Sequence, residues 1–189
     1  MNFTATVYEV LGPVLNEFAF TRQQEMSGRV AVVTYETAPL AVSVNYDALS
    51  HEVAVVFLFK ESRAEHKTFE LSELQAHLHQ QPQFAKAVQI GTSEALHKYL
   101  HTVGEFLEAY LAYIVDNHTT LSAALHAAKT QQIHDYNEAL QADFLKRDVT
   151  QLWKNKQYAD IVARVKQYKG QLEGSLKKKY DYALKKMQE

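Results

Sequence analysis

The spacing of apolar residues along this chain changes once, from a period of two to a helical period, and does not change back. Val30 and Val32, then Leu40, Val42, Val44 and Tyr46, alternate with Ala41, Ser43 and Asn45, as a strand with one covered face requires. Residues 53–59 are apolar at every position, so this third run is expected to be the most covered strand. Thr37-Ala38-Pro39 and residues 47–50 separate the runs, and connections this short join antiparallel neighbours. A three-stranded meander follows. Upstream, Val7, Val10, Leu11, Val14, Leu15 and Phe18 share one helical face over residues 5–19, with Gly12-Pro13 as an interruption.

After Phe69 every segment reads as helix. Ser72-Glu73-Leu74-Gln75 has the form of a capping box, and residues 80–83 form a turn that closes this short helix. From Thr92 or Ser93, Leu96, Leu100, Val103, Leu107, Tyr110, Leu111, Ile114 and Val115 make one stripe. At about 1.5 Å per residue this helix is roughly 36 Å long if it reaches Asp116. Residues 116–119 break it, with Thr119 as the next N-cap. Ile133, Tyr136, Leu140, Phe144, Leu152 and Trp153 give a further stripe, and two short helices near 157–172 and 175–188 complete the chain as an antiparallel hairpin. The fold class is α+β: an N-terminal helix and three-stranded antiparallel meander, then an α-helical C-terminal half. The regions are 1–91 and 92–189, with the hairpin at 157–188, expected to pack as one unit.

Of the 189 residues 47% are apolar, enough for an ordinary core. With no cysteine, thiol catalysis, Cys-ligated zinc and disulfides are excluded, which fits a reducing compartment. The first residues lack the basic and apolar regions of a secretion signal, and the longest apolar runs, 53–59 and 109–115, are seven residues each. A cytoplasmic protein without a membrane segment is expected. The net charge of −2 argues against a globally basic nucleic-acid binder, but it hides an asymmetry. Residues 1–145 carry 8 Lys/Arg against 17 Asp/Glu, and residues 146–189 carry 12 against 5. Such a chain can attract itself, a second copy or an anionic partner.

Residues 149–187, through Leu152-Trp153, Lys156-Gln157-Tyr158-Ala159, Ile161, Val165, Tyr168 and Tyr182-Ala183, resemble a single tetratricopeptide-type helix hairpin. The resemblance implies binding of peptides or proteins. A lone unit of this kind has to lean on the rest of the protein. Val33-Thr34-Tyr35-Glu36-Thr37, residues 42–47 and Ser50-His51-Glu52-Val53 are similar to small bacterial proteins of immunity or accessory type found beside toxins. That similarity implies interaction and carries no catalytic residue with it.

Two constellations carry possible chemistry. Glu94, His97, His101 and Glu105 fall along one side of the long helix, and His97 and His101 have the spacing that lets two imidazoles meet one metal ion. Lys98-Tyr99-Leu100 lies between them, so the Glu of a zinc-hydrolase helix is missing, and a solvated polar face explains the same residues. Lys177, Lys178, Lys179, Lys185 and Lys186, interleaved with Tyr180 and Tyr182 and joined by Trp153 and Tyr158, form the candidate binding surface. No Gly-x-Ser-x-Gly elbow, P-loop or dinucleotide fingerprint is present.

The leading expectation is a non-catalytic interaction module that needs no cofactor and holds a protein partner or a second copy. It would use the hairpin and an outer strand at residues 30–36 or 40–46. A nucleic-acid accessory protein using the basic tail and a metal-dependent hydrolase using the Glu94/His97/His101/Glu105 face are the alternatives.

Overall fold

The computed structural model describes residues 2–27, 29–60, 67–79, 84–172 and 174–188. The chain divides into two compact units, Met1–Ala128 and Lys129–Glu189.

The first unit opens with α1, Phe3–Glu17, whose N-terminus is capped by the Asn2 side chain accepting the Ala5 N–H at 3.2 Å. It runs through Pro13 unbroken, because Pro13 and the Glu9 residue whose carbonyl it leaves without a helical donor are both exposed to water. The helix stops without a glycine. Ala19 takes the left-handed conformation (φ +56°), Phe20 N–H donates to Leu15 O and Ala19 N–H to Asn16 O, which is a Schellman turn. Phe20 is buried, as is Leu15, and that apolar contact compensates the strain of a non-glycine residue there.

Among the described residues six strands follow: β1 Thr21–Ser27, β2 Val30–Glu36, β3 Leu40–Asp47, β4 Glu52–Phe59, β5 Thr68–Glu70 and β6 Val88–Gln89. Their order is β1-β2-β3-β4-β5, with β6 pairing β4, and every pairing is antiparallel. The meander read from the alternation is β2-β3-β4, and three further strands extend it. β1 pairs with β2 along its whole length, from Thr21 opposite Glu36 to Ser27 opposite Val30. Neither β2 nor β3 is therefore an outer strand, and the docking edge expected at 30–36 or 40–46 does not exist, since β1 and β4 occupy those hydrogen-bonding sides. β4 also differs from expectation. Val53, Val55, Phe57 and Phe59 are buried, but Val56 is half-buried and Leu58 is 38% exposed, so one face only is fully covered.

α2, Leu71–His79, begins one residue before the expected cap. The Glu73 carboxylate reaches back to the Glu70 N–H at 2.8 Å, so the reciprocal half of the capping box belongs to Glu73. Gln75 turns inward instead. α3, Ser93–Asp116, is capped by Thr92, whose hydroxyl accepts the Ala95 N–H at 3.1 Å. Its stripe of Leu96, Leu100, Val103, Leu107, Leu111 and Ile114 is buried with Val7, Leu11 and Leu15 of α1 and the covered face of the sheet in one core. Because α3 packs on α1, the division read at residues 91/92 falls inside the first unit.

α4, His118–Lys154, is one helix of 37 residues rather than two stretches. Leu121, Ser122 and Leu125 at its start are buried in the first unit. Its remainder belongs to the second unit with α5, Tyr158–Lys166, and α6, Gly174–Lys186. That unit has its own core of Leu145, Val149, Ile161, Val162, Val165 and Ala183. Among the described residues no helix is long and apolar enough to cross a membrane.

Candidate interaction surface

A helix is normally held in a protein by burying one apolar face. α4 does so at Leu145 and Val149, but residues 130–141 are exposed without exception. On this stretch and just past it stand Ile133 (45% exposed), Tyr136 (67%), Leu140 (38%) and Phe144 (49%). Spacings of three and four residues put them on one side of the helix, while Leu145, Val149 and Leu152 point to another. The stripe expected over 133–155 is therefore divided: its first four members face water, and Leu152 and Trp153 pack against the core of the second unit.

The row ends at a cavity of about 340 Å³, where Phe144 and Leu145 of α4 face Arg164, Tyr168 and Lys169. Arg164 is engaged, its Nε donating to Asp148 Oδ2 at 2.8 Å. Lys169 stands exposed at the rim.

A second feature of the unit is an aromatic cluster made by the end of α4. Lys156 adopts φ +56°, with Gln157 N–H on Leu152 O and Lys156 N–H on Trp153 O, a Schellman turn that leads directly into α5. The turn sets Tyr158 beside Trp153, ring centroids 5.9 Å apart, and Tyr182 of α6 closes the triangle at 5.1 Å from Trp153 and 5.6 Å from Tyr158. All three contacts are edge-on, so the rings bind one another. Lys186 Nζ lies 6.0 Å from the Tyr182 centroid, at the limit of a cation–π contact.

The other predicted residues of this surface are dispersed. Lys177, Lys178 and Lys185 are exposed, Lys179 is half-buried and donates to Thr150 Oγ1 at 3.2 Å, and Tyr180 packs on the core. Of the predicted metal set, His101 Nδ1 and Glu105 Oε1 meet at 3.5 Å, and Glu94 and His97 are exposed on the same helix. A three-ligand grouping within 4.8 Å occurs elsewhere, at His134, Asp135 and Glu138, all exposed. Its sequence signal was the i, i+4 pair His134 and Glu138, 3.8 Å apart.

Among the described residues, four groups held away from their ordinary ionisation lie in the first unit. Burial pushes the Tyr99 phenol up to about 12, and burial also raises Tyr35 against the opposing pull of Arg22. The Asp47 carboxyl is lowered by the Leu49 N–H it accepts, and Lys86 is raised by its hydrogen bond to Glu70.

No protein family, no characterised protein and no solved structure matches this chain.

Proposed function

We propose that the chain is a non-catalytic protein-interaction module, acting inside the cell as a bacterial accessory or immunity-type protein does, with its second unit as the binding element. The observation that carries this reading is the exposed row Ile133, Tyr136, Leu140 and Phe144 on α4. Scattered apolar side chains are normal on a surface, but four large ones aligned on a single helix face mark a site that is covered by something. The tyrosine and phenylalanine in the row are of the residue types that concentrate binding energy. The absence of cysteine agrees with an intracellular setting.

The test compares the intact chain with Tyr136→Ser/Phe144→Ser as bait in nuclease-treated bacterial lysate. The two baits should give the same circular dichroism, since both side chains are about half or more exposed. A protein retained by the first and lost from the second supports the reading; identical retention on both removes it.

The exposed Lys177, Lys178 and Lys185, with Lys186 near Tyr182, favour the nucleic-acid reading as the second choice. Against it, the aromatic rings that would stack on bases are occupied with one another. Affinity for single-stranded DNA that falls steeply with salt and drops in Lys177→Ala/Lys178→Ala/Lys185→Ala would establish it.

A further inference from the structure

We infer that the first unit carries a binding site for a small organic acid, held by its carboxylate between Arg22 and the hydroxyl of Tyr35. The site is a cavity of about 360 Å³ where α1 meets β1 and β2, lined by Tyr8, Gly12, Pro13, Asn16, Arg22 and Tyr35. It belongs to the first unit, so it goes beyond the reading of α4 and does not depend on it. Tyr35 is 2% exposed, yet its hydroxyl forms no hydrogen bond with any other described residue. A buried phenol normally finds a partner, because a desolvated donor without one is unfavourable. What faces this one is Gly12, where an added Cβ would lie 3.4 Å from the hydroxyl oxygen. Glycine and proline are the poorest residues for a helix interior, and α1 runs through both at Gly12-Pro13. The missing side chain keeps the Tyr35 hydroxyl open to the cavity.

Arg22 and Tyr35 are cross-strand partners, so their side chains share one face of the sheet. The Arg22 guanidinium stacks on the Tyr8 ring, its Cζ 3.9 Å from the ring centroid, and makes no ion pair with a described residue. Stacking holds its plane and leaves an N–H edge that can donate to two oxygens side by side. Tyr8 in turn meets Tyr35 edge-on at 6.4 Å, which fixes the two donors relative to each other. Arg22 pulls the Tyr35 phenol down against the effect of burial, so its charge is felt at the hydroxyl. The lining carries a single full charge and therefore balances a monoanion. A phosphate monoester, with close to two charges at neutral pH, would be left half neutralised. A carboxylate takes both donors, with the body of the acid against Pro13 and the Gly12 backbone and the exposed Asn16 at the rim. The volume is at the small end of ligand sites, which limits that body to a short aliphatic chain or a single ring.

Benzoate is the probe. Titrated into the isotope-labelled intact chain and followed by NMR, it should shift the Gly12 and Tyr35 amide signals and saturate in the millimolar range, as about nine heavy atoms allow. Benzamide, the same shape without the charge, should bind at least roughly tenfold more weakly. Tyr35→Phe keeps the ring and removes a hydroxyl that holds nothing in the chain. It should weaken benzoate roughly tenfold at an unchanged melting temperature. Arg22→Lys, which keeps the charge and loses the fork, should weaken it by a similar factor. Gly12→Ala should cover the hydroxyl and lose affinity while the melting temperature holds or rises. Affinity lost without stability lost is what separates a ligand site from a packing role. Benzoate that gives no saturating shift, or that binds Tyr35→Phe as well as the parent, overturns the proposal, as does benzamide of equal affinity. Tighter binding of phenyl phosphate would assign the site to another anion, and tighter binding of acetyl-Gly-Gly-Phe would assign it to a chain terminus; either result overturns the small-acid reading.

Discussion

The side-chain carbonyl of Gln75 accepts the backbone N–H of Phe84 at 2.9 Å, and both residues are buried. Among the described residues Gln75 and Ser122 are the buried polar side chains, and this bond ties α2 to Phe84. Gln75→Leu keeps the volume and removes the acceptor, leaving the Phe84 N–H desolvated. Urea unfolding should show a loss of about 1–3 kcal/mol. A loss under about 0.5 kcal/mol would mean that the bond does not hold Phe84 to α2.

Gly104 sits on the buried face of α3, where an added Cβ would lie 3.7 Å from Leu11 Cδ2 of α1, an ordinary contact. Glycine inside a helix costs up to about 1 kcal/mol relative to alanine. Gly104→Ala should therefore stabilise by about 0.5–1 kcal/mol, whereas Gly104→Leu should overpack the α1–α3 contact and cost about 1–3 kcal/mol. Thermal unfolding of the pair should move the midpoint in opposite directions; two downward shifts would show that the helices are already too close for a methyl group.

The period of the apolar residues revealed which elements exist, because a one-sided strand and an amphipathic helix each repeat at a fixed interval. It recovered β2, β3, β4, α1 and α3 to within a few residues. It missed β1 because a strand at the margin of a sheet needs no apolar alternation, and Thr21–Ser27 is polar in all but one position. β5 and β6 have three residues and two, too few for any period, and they are strands by virtue of β4 beside them. Periodicity also says that a face exists and not that it is covered. The spacing of Ile133, Tyr136, Leu140 and Phe144 is the same whether they lie in a core or in water, so the candidate surface could only be found once Leu145 and Val149 were seen to fill the second core. The aromatic triangle was partly legible, since Trp153, Tyr158 and Tyr182 were singled out, but their mutual contact depends on the turn at Lys156, which no glycine announces.

The Tyr99 phenol, raised by burial to about 12 from an ordinary value near 10, makes stability depend on alkaline pH. The folded chain holds this proton to higher pH than the unfolded chain does. The contribution is whole below about pH 10 and is lost as pH rises toward 12, because there the unfolded state alone releases the proton. Tyr99→Phe has no proton to lose. Its unfolding free energy, measured between pH 8 and 12, should run parallel to that of the parent up to about 10 and then fall less steeply. Curves that stay parallel through pH 12 would place the Tyr99 hydroxyl in water.

Tyr182 is 42% exposed, yet its ring centroid is 5.1 Å from Trp153 and 5.6 Å from Tyr158. An exposed residue without such contacts would be replaced at little cost. Each edge-on aromatic pair contributes about 0.5–1.5 kcal/mol, so Tyr182→Ala should cost the second unit about 1–3 kcal/mol, and Tyr182→Phe, which keeps the ring, close to nothing. Trp153 is the single tryptophan and sits in the triangle, so its fluorescence reports the unfolding of this unit directly. Since Tyr158 and Tyr182 touch, the loss in Tyr158→Ala/Tyr182→Ala should fall short of the sum of the single losses. Additive losses would mean that the rings are neighbours without being coupled, and Tyr182 would then be available to stack on a ligand.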